Sequence, residues 1–392
     1  MTLDPFAETH IGSVRLRNRF IKAATFEGLA ERGLVSDRLI GFHRVMAAGG
    51  LGMTTLAYVA VSEDGQGAPA EIVVRPEAVP GLRKLADAVH AEGAAISAQI
   101  GHAGPVAAGT GRRGLAPSRM FTPMALKFTT AASEQDIARI TADFVQAARL
   151  LQDAGFDALE LHLGHNYLLS AFLSPALNRR KDRFGGSIEN RAEFPRQVVR
   201  AVRDAVGSSM AVLAKLNMAD GYPGGLWLDE SVQAARLLES DGALDALELT
   251  GGSSLRNPMY LFRGEAPIEE MAKAFPQPLR TAFKLMGKRF LPSYPFEEAY
   301  FLPYARQFRA ALSMPLILLG GINRLETVQR ALAEGFAYVA IGRALLREPD
   351  LLKRWQRGDT SEALCIHCNK CMPTIYRGTH CVLVEPGKRP GH

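Results

Sequence analysis

The 392-residue chain is predicted to be α/β, a closed parallel barrel of eight βα units of the TIM type. An insertion after the sixth strand and a cysteine-rich carboxyl-terminal tail are added to it. Three observations predict this. Short apolar runs alternate eight times with amphipathic helical stretches, and strands separated by helices pair in parallel. The segments GFDALELHLG (Gly155–Gly164) and GALDALELTGG (Gly242–Gly252) echo one another, as like βα units would. Histidine and tyrosine gather at the carboxyl end of one apolar run, where barrel enzymes keep their catalytic groups. An open doubly wound sheet is the competing arrangement for the same alternation.

Taken in order, the strands are expected at Arg19–Ala24, Leu51–Val61, Ala94–Gly101, Ala158–Leu163, Ala211–Leu216, Asp245–Thr250, Pro315–Leu319 and Ala337–Ile341. Helical periodicity marks Leu82–Ala91, Glu134–Ala154, Asn190–Val206, Glu230–Ser240, Leu325–Glu334 and Ala344–Gln356. These place the barrel within residues 1–360 and the tail at 361–392. Two long loops follow strands and so fall on the catalytic face. Gly104–Phe128 is rich in glycine and proline. Residues 253–304 form the insertion, which carries Tyr260, Phe262, Phe275, Phe283, Phe290, Tyr294, Phe296, Tyr300, Phe301 and Tyr304. Such an aromatic segment could cap a substrate pocket, pack as a small subdomain, or form a contact between copies of the chain.

Hydrophobic residues make up 47%, which supports a sizeable core. Lysine and arginine exceed aspartate and glutamate by 46 − 40 = 6, but the basic residues are spread out and no patch interleaves them with aromatics. Nucleic-acid binding is therefore not expected. The start, MTLDPFAETHIGSVRLRNRF, lacks the basic and apolar regions of a signal peptide. No apolar run reaches the roughly 18 residues that a membrane helix needs. All four cysteines lie between Cys365 and Cys381 rather than through the body of the chain, so a cytoplasmic location is expected.

The chemistry concentrates in DALELHLGHNYLLSAFLSPALNRRKDRFGGSIENR, Asp157–Arg191. His162, His165 and Tyr167 there suit hydrogen-bonding a carbonyl oxygen and delivering a proton. At the other side of the predicted barrel, strand seven ends in Gly320-Gly321 and strand eight in Gly342-Arg343. Glycines let backbone amides approach an anion, and loops seven and eight recurrently bind phosphate in barrels. An arginine fork suits the same group. No GxGxxG follows a strand, so a dedicated nicotinamide domain is not expected.

From about Pro5 to Gln356 the chain resembles the old yellow enzyme family of flavin mononucleotide (FMN) oxidoreductases. The most specific match is LSPALNRRKDRFGGSIENRAEF, Leu173–Phe194, in Asn178, Arg180, Asp182, Gly185, Gly186, Ser187, Glu189, Asn190 and Arg191. NRFIKAA at Asn18–Ala24 and AQIGHAG at Ala98–Gly104 match two further stretches. The resemblance implies FMN at the barrel mouth. Ala23, Ala24 and Thr25 would lie along the isoalloxazine and Gln99 on its pyrimidine edge. Lys215 would face the N1–C2 carbonyl region, and Gly320, Gly321, Gly342 and Arg343 would take the phosphate. A lysine there otherwise pairs with carboxylates. His162 and His165 would bind the substrate oxygen, and Tyr167 would donate a proton; a phenol's ordinary pKa of about 10 keeps it protonated at neutral pH. Phe26 departs from the family's threonine or cysteine near flavin N4–O4, and it cannot hydrogen-bond there. Lys22 is charged where apolar residues are common, and could snorkel or pair with a carboxylate such as Glu160.

In the tail, Cys365, Cys368, Cys371 and Cys381 follow spacings of two, two and nine residues. Four cysteines so close together are a metal-site pattern. CxxCxxC suits an iron–sulfur cubane, zinc accepts four thiolates, and unmetallated thiols are the third option. His367 could replace a ligand or stand exposed as a bystander. The tail is similar to the cluster segment of the 2,4-dienoyl-CoA reductase and trimethylamine dehydrogenase branch, which has longer spacings. That branch also carries a nucleotide-binding domain, which the residues up to His392 are not expected to accommodate. The leading expectation is ping-pong hydride transfer from NAD(P)H through FMN to an α,β-unsaturated carbonyl or similar small molecule. Its rival is amine oxidation with electrons leaving through the tail cluster to a protein partner. A binding protein with a zinc docking module is a third class. A homo-oligomer is compatible with all of them.

Overall fold

The structure is a computed structural model that describes residues 3–68, 71–107, 114–122, 127–273, 276–375 and 377–391. Eight parallel strands close into a barrel in chain order. They are β1 (Phe20–Lys22), β2 (Met53–Ala60), β3 (Ala95–Gly101), β4 (Ala158–Leu163), β5 (Ala211–Asn217), β6 (Ala246–Thr250), β7 (Leu316–Leu319) and β8 (Tyr338–Ile341). Pairing of β8 with β1, Ala340 opposite Ile21, closes the ring and excludes the open sheet. All eight strands fall where the apolar runs predict them.

The echoed segments do the same job twice. Asp157, just before β4, accepts the Ile96 N–H at 2.7 Å, and Asp245, just before β6, accepts the Val212 N–H at 2.8 Å. Each carboxylate thereby ties its own strand to the preceding one.

Inward side chains grade from apolar to polar along the strands. Ile21, Met53, Ala95, Ala158, Ala211, Ala246, Ile317 and Tyr338 form one core at the amino-terminal end. A hairpin of Thr9–Ile11 and Val14–Leu16, not predicted from the sequence, closes that end with Ile11, Val14 and Leu16. Because side chains alternate along a strand, the same inward columns continue upward as Ser97 and Gln99, Glu160 and His162, Lys215 and Asn217, Glu248 and Thr250. The polar ends of these columns form the mouth.

Helices cover the outside. Glu134–Asp153 starts with a reciprocal capping box, in which Ser133 Oγ accepts the Asp136 N–H and Asp136 accepts the Ser133 N–H. It buries the stripe Ile137, Ile140, Phe144, Ala148 and Leu151. Asp37–Ala48 is a helix the periodicity did not reveal, capped by Ser36 and seated through Leu39, Phe42 and Met46. The single helix expected at Ala344–Gln356 is two, Arg343–Arg347 and Leu351–Gln356. Pro349 lacks an N–H and disfavours helical backbone at Glu348, which accounts for the break.

In the insertion, Tyr260, Tyr294, Phe296, Tyr300 and Phe301 pack on one another. Tyr260 and Tyr294 lie 5.6 Å apart, Tyr300 and Phe301 4.7 Å, and the Arg263 guanidinium sits 5.0 Å over Tyr260. Phe275, along with residues 108–113 and 123–126 of the long loop after β3, lies outside the described residues. Among its described residues the tail has no strand and only two short 3-10 turns, at Met372–Thr374 and Pro386–Lys388. Its Thr379 N–H donates to Glu27 O at 2.7 Å in the segment after β1. Gly28 is required there: at φ +60°, a Cβ would stand 1.9 Å from Ile375 O. The His367 ring stacks on Phe296 of the insertion at 3.4 Å. Among the described residues no helix is long and apolar enough to cross a membrane.

Candidate active site

The mouth is organised by the turn after β4. His165 and Asn166 both adopt φ +59°, a left-handed conformation that ordinarily costs a non-glycine residue about 1–2 kcal/mol. Neighbouring strands hold it. Asn217, ending β5, accepts the His165 N–H at 3.0 Å and donates to Gly252 O at 2.8 Å. Asp220 Oδ1 accepts from the same Asn217 amide at 2.9 Å, and Tyr222 OH donates to Asn166 Oδ1 at 3.1 Å. The Ser254 N–H donates to His165 O at 3.1 Å. A strained turn clamped from two strands marks a position that needs a fixed side chain.

That turn brings His162, His165 and Tyr167 together. The His162 ring lies 5.0 Å from His165 and 4.6 Å from Tyr167. His162 is buried, and its Nδ1 has no hydrogen-bond partner among the described residues. His165 Nε2 is 3.0 Å from Thr250 Oγ1. Burial, then the charges of His165 and Lys215, pushes His162 well below its usual pKa. Burial, then Lys215, pushes His165 down to about 3. Both imidazoles are therefore neutral near pH 7, each with one N–H; that of His165 is free for a ligand when Nε2 accepts from the Thr250 hydroxyl.

Tyr58 belongs to the same group and was not foreseen. Its ring is 4.8 Å from Tyr167 and 6.2 Å from His162, and its hydroxyl donates to Gly65 O at 2.6 Å. Simple alternation from Met53 points residue 58 outward, but β2 has a register shift between Leu56 and Val59 that turns the ring into the mouth. Gly101 makes room, since a Cβ there would lie 2.7 Å from the Tyr58 ring.

Below the histidines lies a buried charged cluster. Lys215 Nζ is 2.8 Å from Glu160 Oε1 and 2.8 Å from Glu248 Oε1, and Gln99 Nε2 donates to the same Glu160 oxygen at 2.6 Å. Burial opposes the ammonium charge, but the two carboxylates outweigh it and hold Lys215 above its ordinary range. Burial and then Glu160 push Glu248 up to about 8, against the pull of Lys215. Lys22 is elsewhere. It faces outward between β1 and the helix Asp37–Ala48, pairs with Glu27 at 3.1 Å rather than with Glu160, and lies 5.2 Å from the Phe42 ring.

On the opposite side of the mouth, Ala23 is tied to Ile341 O through its N–H at 3.0 Å, and Ala24 and Thr25 follow in half-buried coil. Thr25 Oγ1 is buried without a partner among the described residues, beside Gly342, whose Cβ would meet Thr25 at 3.4 Å. Gly320 (φ +112°) and Gly321 (φ +71°) lie against Phe301 and Tyr300, within 2.6 Å of where a Cβ would be. Arg343 reaches back to Arg263 O at 3.0 Å and to the Asn369 side chain, and it also lines the cysteine cavity. All four thiols, Cys365, Cys368, Cys371 and Cys381, line that one cavity. None is in a disulfide. Among the described residues no three His, Cys, Asp or Glu side chains are placed to hold a single metal ion. His367 is buried rather than an exposed bystander, 7% accessible and 4.0 Å from Cys365 Sγ through Nδ1.

The profile of the NADH:flavin oxidoreductase / NADH oxidase family matches residues 5–247. The chain belongs to this family and is an enzyme. A second profile, described as histidine biosynthesis protein, matches 297–379. The 4,4'-dithiodibutanoate disulfide reductase of Rhodococcus erythropolis is 56% identical over 96% of this chain and 94% of its own length. The metal reductase of Desulforamulus reducens is 32% identical over 95% of this chain but 52% of its own length, so the chain spans about half of that relative. The solved 2-naphthoyl-CoA reductase complex shares the fold, with a TM-score of 0.78 at 24% identity over 93% of this chain and 54% of that one. For an oxidoreductase of this family the mouth offers a neutral histidine pair, two tyrosines, and a buried ammonium one strand away.

Proposed function

We propose that the chain is an FMN-dependent reductase that takes hydride from NAD(P)H and delivers it to an electron-poor acceptor in the same pocket. The convergence of His162, His165 and Tyr167 at the mouth, one strand from Lys215, carries this reading. When bound, FMN would supply the two-electron store. Ala23, Ala24 and Thr25 would line it, and the unpartnered Thr25 hydroxyl supports a ligand there. Gln99 and Lys215 would meet its pyrimidine edge, where a fixed positive charge stabilises developing negative charge. Gly320, Gly321, Gly342 and Arg343 would receive its phosphate; the glycine backbones suit close approach.

His162 and His165 would each donate one N–H to an acceptor oxygen, and Tyr167 would supply the proton. With an activated alkene, hydride adds to the β-carbon and the tyrosine proton to the α-carbon. The relative named for a disulfide substrate supports a second acceptor class: hydride adds to one sulfur, the S–S bond breaks, and a mouth proton goes to the departing thiolate. Arg256 supports a carboxylated acceptor of this kind. It is exposed two residues past Ser254, which is bonded to the His165 turn. Its guanidinium lies 4.9 Å over Tyr222. A lone arginine in a loop has no pattern that sequence reading could find.

The alternative is amine oxidation with electrons leaving through a tail cluster to a protein partner. Tyr58 beside Tyr167 favours it, since aromatic faces attract organic cations. A centre there would be held by the four thiols that line one cavity, as an iron–sulfur cluster or as zinc.

The test is an anaerobic titration of the FMN-loaded protein, with metal analysis. Bleaching by NADH or NADPH, then recovery on adding an enone or 4,4'-dithiodibutanoate, is the expected result. Bleaching by an amine alone, with about four irons per chain, would transfer the assignment to the alternative. A protein that takes up no FMN overturns both.

A further inference from the structure

Two carboxylates share one ammonium in the barrel interior, and they are not equivalent. Glu160 has Lys215 at 2.8 Å and the Gln99 amide at 2.6 Å. Glu248 has Lys215 at 2.8 Å, but neither of its oxygens accepts a well-directed hydrogen bond from the described residues. Its other strand neighbour is apolar, Ile317 on β7. Lys22, the next cation, is committed to Glu27, with His43 at 3.3 Å from the same carboxylate. His162, beside Lys215 on β4, is neutral. With both glutamates ionised the cluster carries one excess negative charge in a site 1–2% exposed. Buried like charges cannot both persist cheaply, so the carboxylate with fewer donors holds a proton.

We propose that Glu248 is a positioning residue for the flavin's electrostatics: it gains a proton when the flavin beside Lys215 is reduced, and so ties reduction potential to pH. The proposal rests on the FMN reading above. Hydride from a nicotinamide brings two electrons and one proton to the flavin and leaves it one charge more negative. That charge draws on the same Lys215 that offsets the carboxylates. A solvent proton then forms one O–H bond on Glu248, and the cluster with its flavin returns to its former net charge. Below the pKa of Glu248, about 8 without flavin, the proton is already present and no further uptake occurs. Above it, each two-electron reduction takes up one extra proton, an additional tenfold per pH unit or about 30 mV.

The experiment is a redox titration of FMN-bound protein between about pH 6 and pH 10, for wild type, Glu248→Gln and Glu160→Gln. Wild type is expected to show a break near pH 8, with the potential falling about twice as steeply above it. Glu248→Gln, which cannot ionise, is expected to lose the break. Glu160→Gln removes the repelling charge and is expected to move the break to lower pH. Should the glutamine variants fail to fold, infrared difference spectra of wild type serve instead: reduction at about pH 9 is expected to produce a carboxylic-acid C=O band. A wild-type line without a break, no such band, or a break that survives Glu248→Gln overturns the proposal while leaving the FMN reading intact. Failure to bind FMN overturns both, and is seen at once in the visible spectrum.

Discussion

The barrel mouth and the cysteine tail both gather reactive side chains, yet they hold them by different means. In the mouth every reactive group rises from a strand end or the turn after it, and its partners stand on adjacent strands, as Lys215 does between Glu160 and Glu248. In the tail the cysteines sit on coil and depend on docking, through Thr379 to the β1 segment, His367 to Phe296, and Asn369 to Glu265 O at 2.9 Å. The difference teaches that the mouth is fixed by electrostatics internal to the barrel, whereas the tail is fixed by what it leans on. Damage to each should look different.

The largest effect is expected from Lys215→Met. It leaves the Glu160 carboxylate without its cation in the barrel interior, beside a Glu248 already protonated near neutral pH, and breaking a buried pair from one side costs about 3–5 kcal/mol. Chemical denaturation should show that loss, and adding Glu160→Gln and Glu248→Gln should return much of it. Equal stability of Lys215→Met and wild type would mean that the cluster is solvated and the contrast with the tail is unfounded. Next comes Tyr167→Phe. If the tyrosine supplies the proton, the acceptor half-reaction should slow by about 10²–10⁴-fold, with flavin reduction by the nicotinamide unchanged. Stopped-flow measurement of the two halves separates these. Slowing of both would make Tyr167 a packing residue beside Tyr58.

Gly28→Ala probes the other region. At φ +60° an alanine costs about 1–2 kcal/mol by itself. Its Cβ must also displace Ile375 O from 1.9 Å, so the tail should lift from the β1 segment. Limited proteolysis is expected to cut the tail faster while the barrel core stays protected. A tail as resistant as that of wild type would show that its cysteine end, not this contact, anchors it.

The contrast also governs what the sequence could reveal. Strands are legible because inward residues recur every second position, and the histidine pair with Tyr167 is legible because six residues hold all three. Glu248 was overlooked although the signal was present: the echo aligns DALELH with DALELT, which sets Glu248 where Glu160 stands and Thr250 where His162 stands. Tyr58 was hidden for a physical reason, since a bulge in β2 reverses the face that alternation assigns. The tail's cysteines announce themselves by spacing. The docking of His367 and Asn369 between them onto the insertion could not be read, because it arises from contacts between segments remote in sequence. Phe296 and His367 are brought together by the fold alone.

The smallest effect sharpens the mouth itself. His165 is held at about 3, against about 6.5 in an unfolded chain. Between those values the unfolded chain binds a proton that the folded one refuses, so this histidine makes stability rise with pH through the window and fall as pH drops below about 6.5. Glu248, with its pKa raised to about 8, acts in the opposite sense above the ordinary carboxylate range. The two contributions overlap, and bulk pH curves will not separate them. The difference between wild type and His165→Asn, measured by denaturation at about pH 5 and again at about pH 8, isolates the imidazole. Asparagine is expected to cost more at pH 8 than at pH 5, because at pH 5 its removal also relieves the cost of keeping a neutral imidazole. An equal cost at both would mean that His165 takes up its proton in the folded mouth. It would then meet the acceptor as a cation below about pH 6.5 and as a neutral donor only above it.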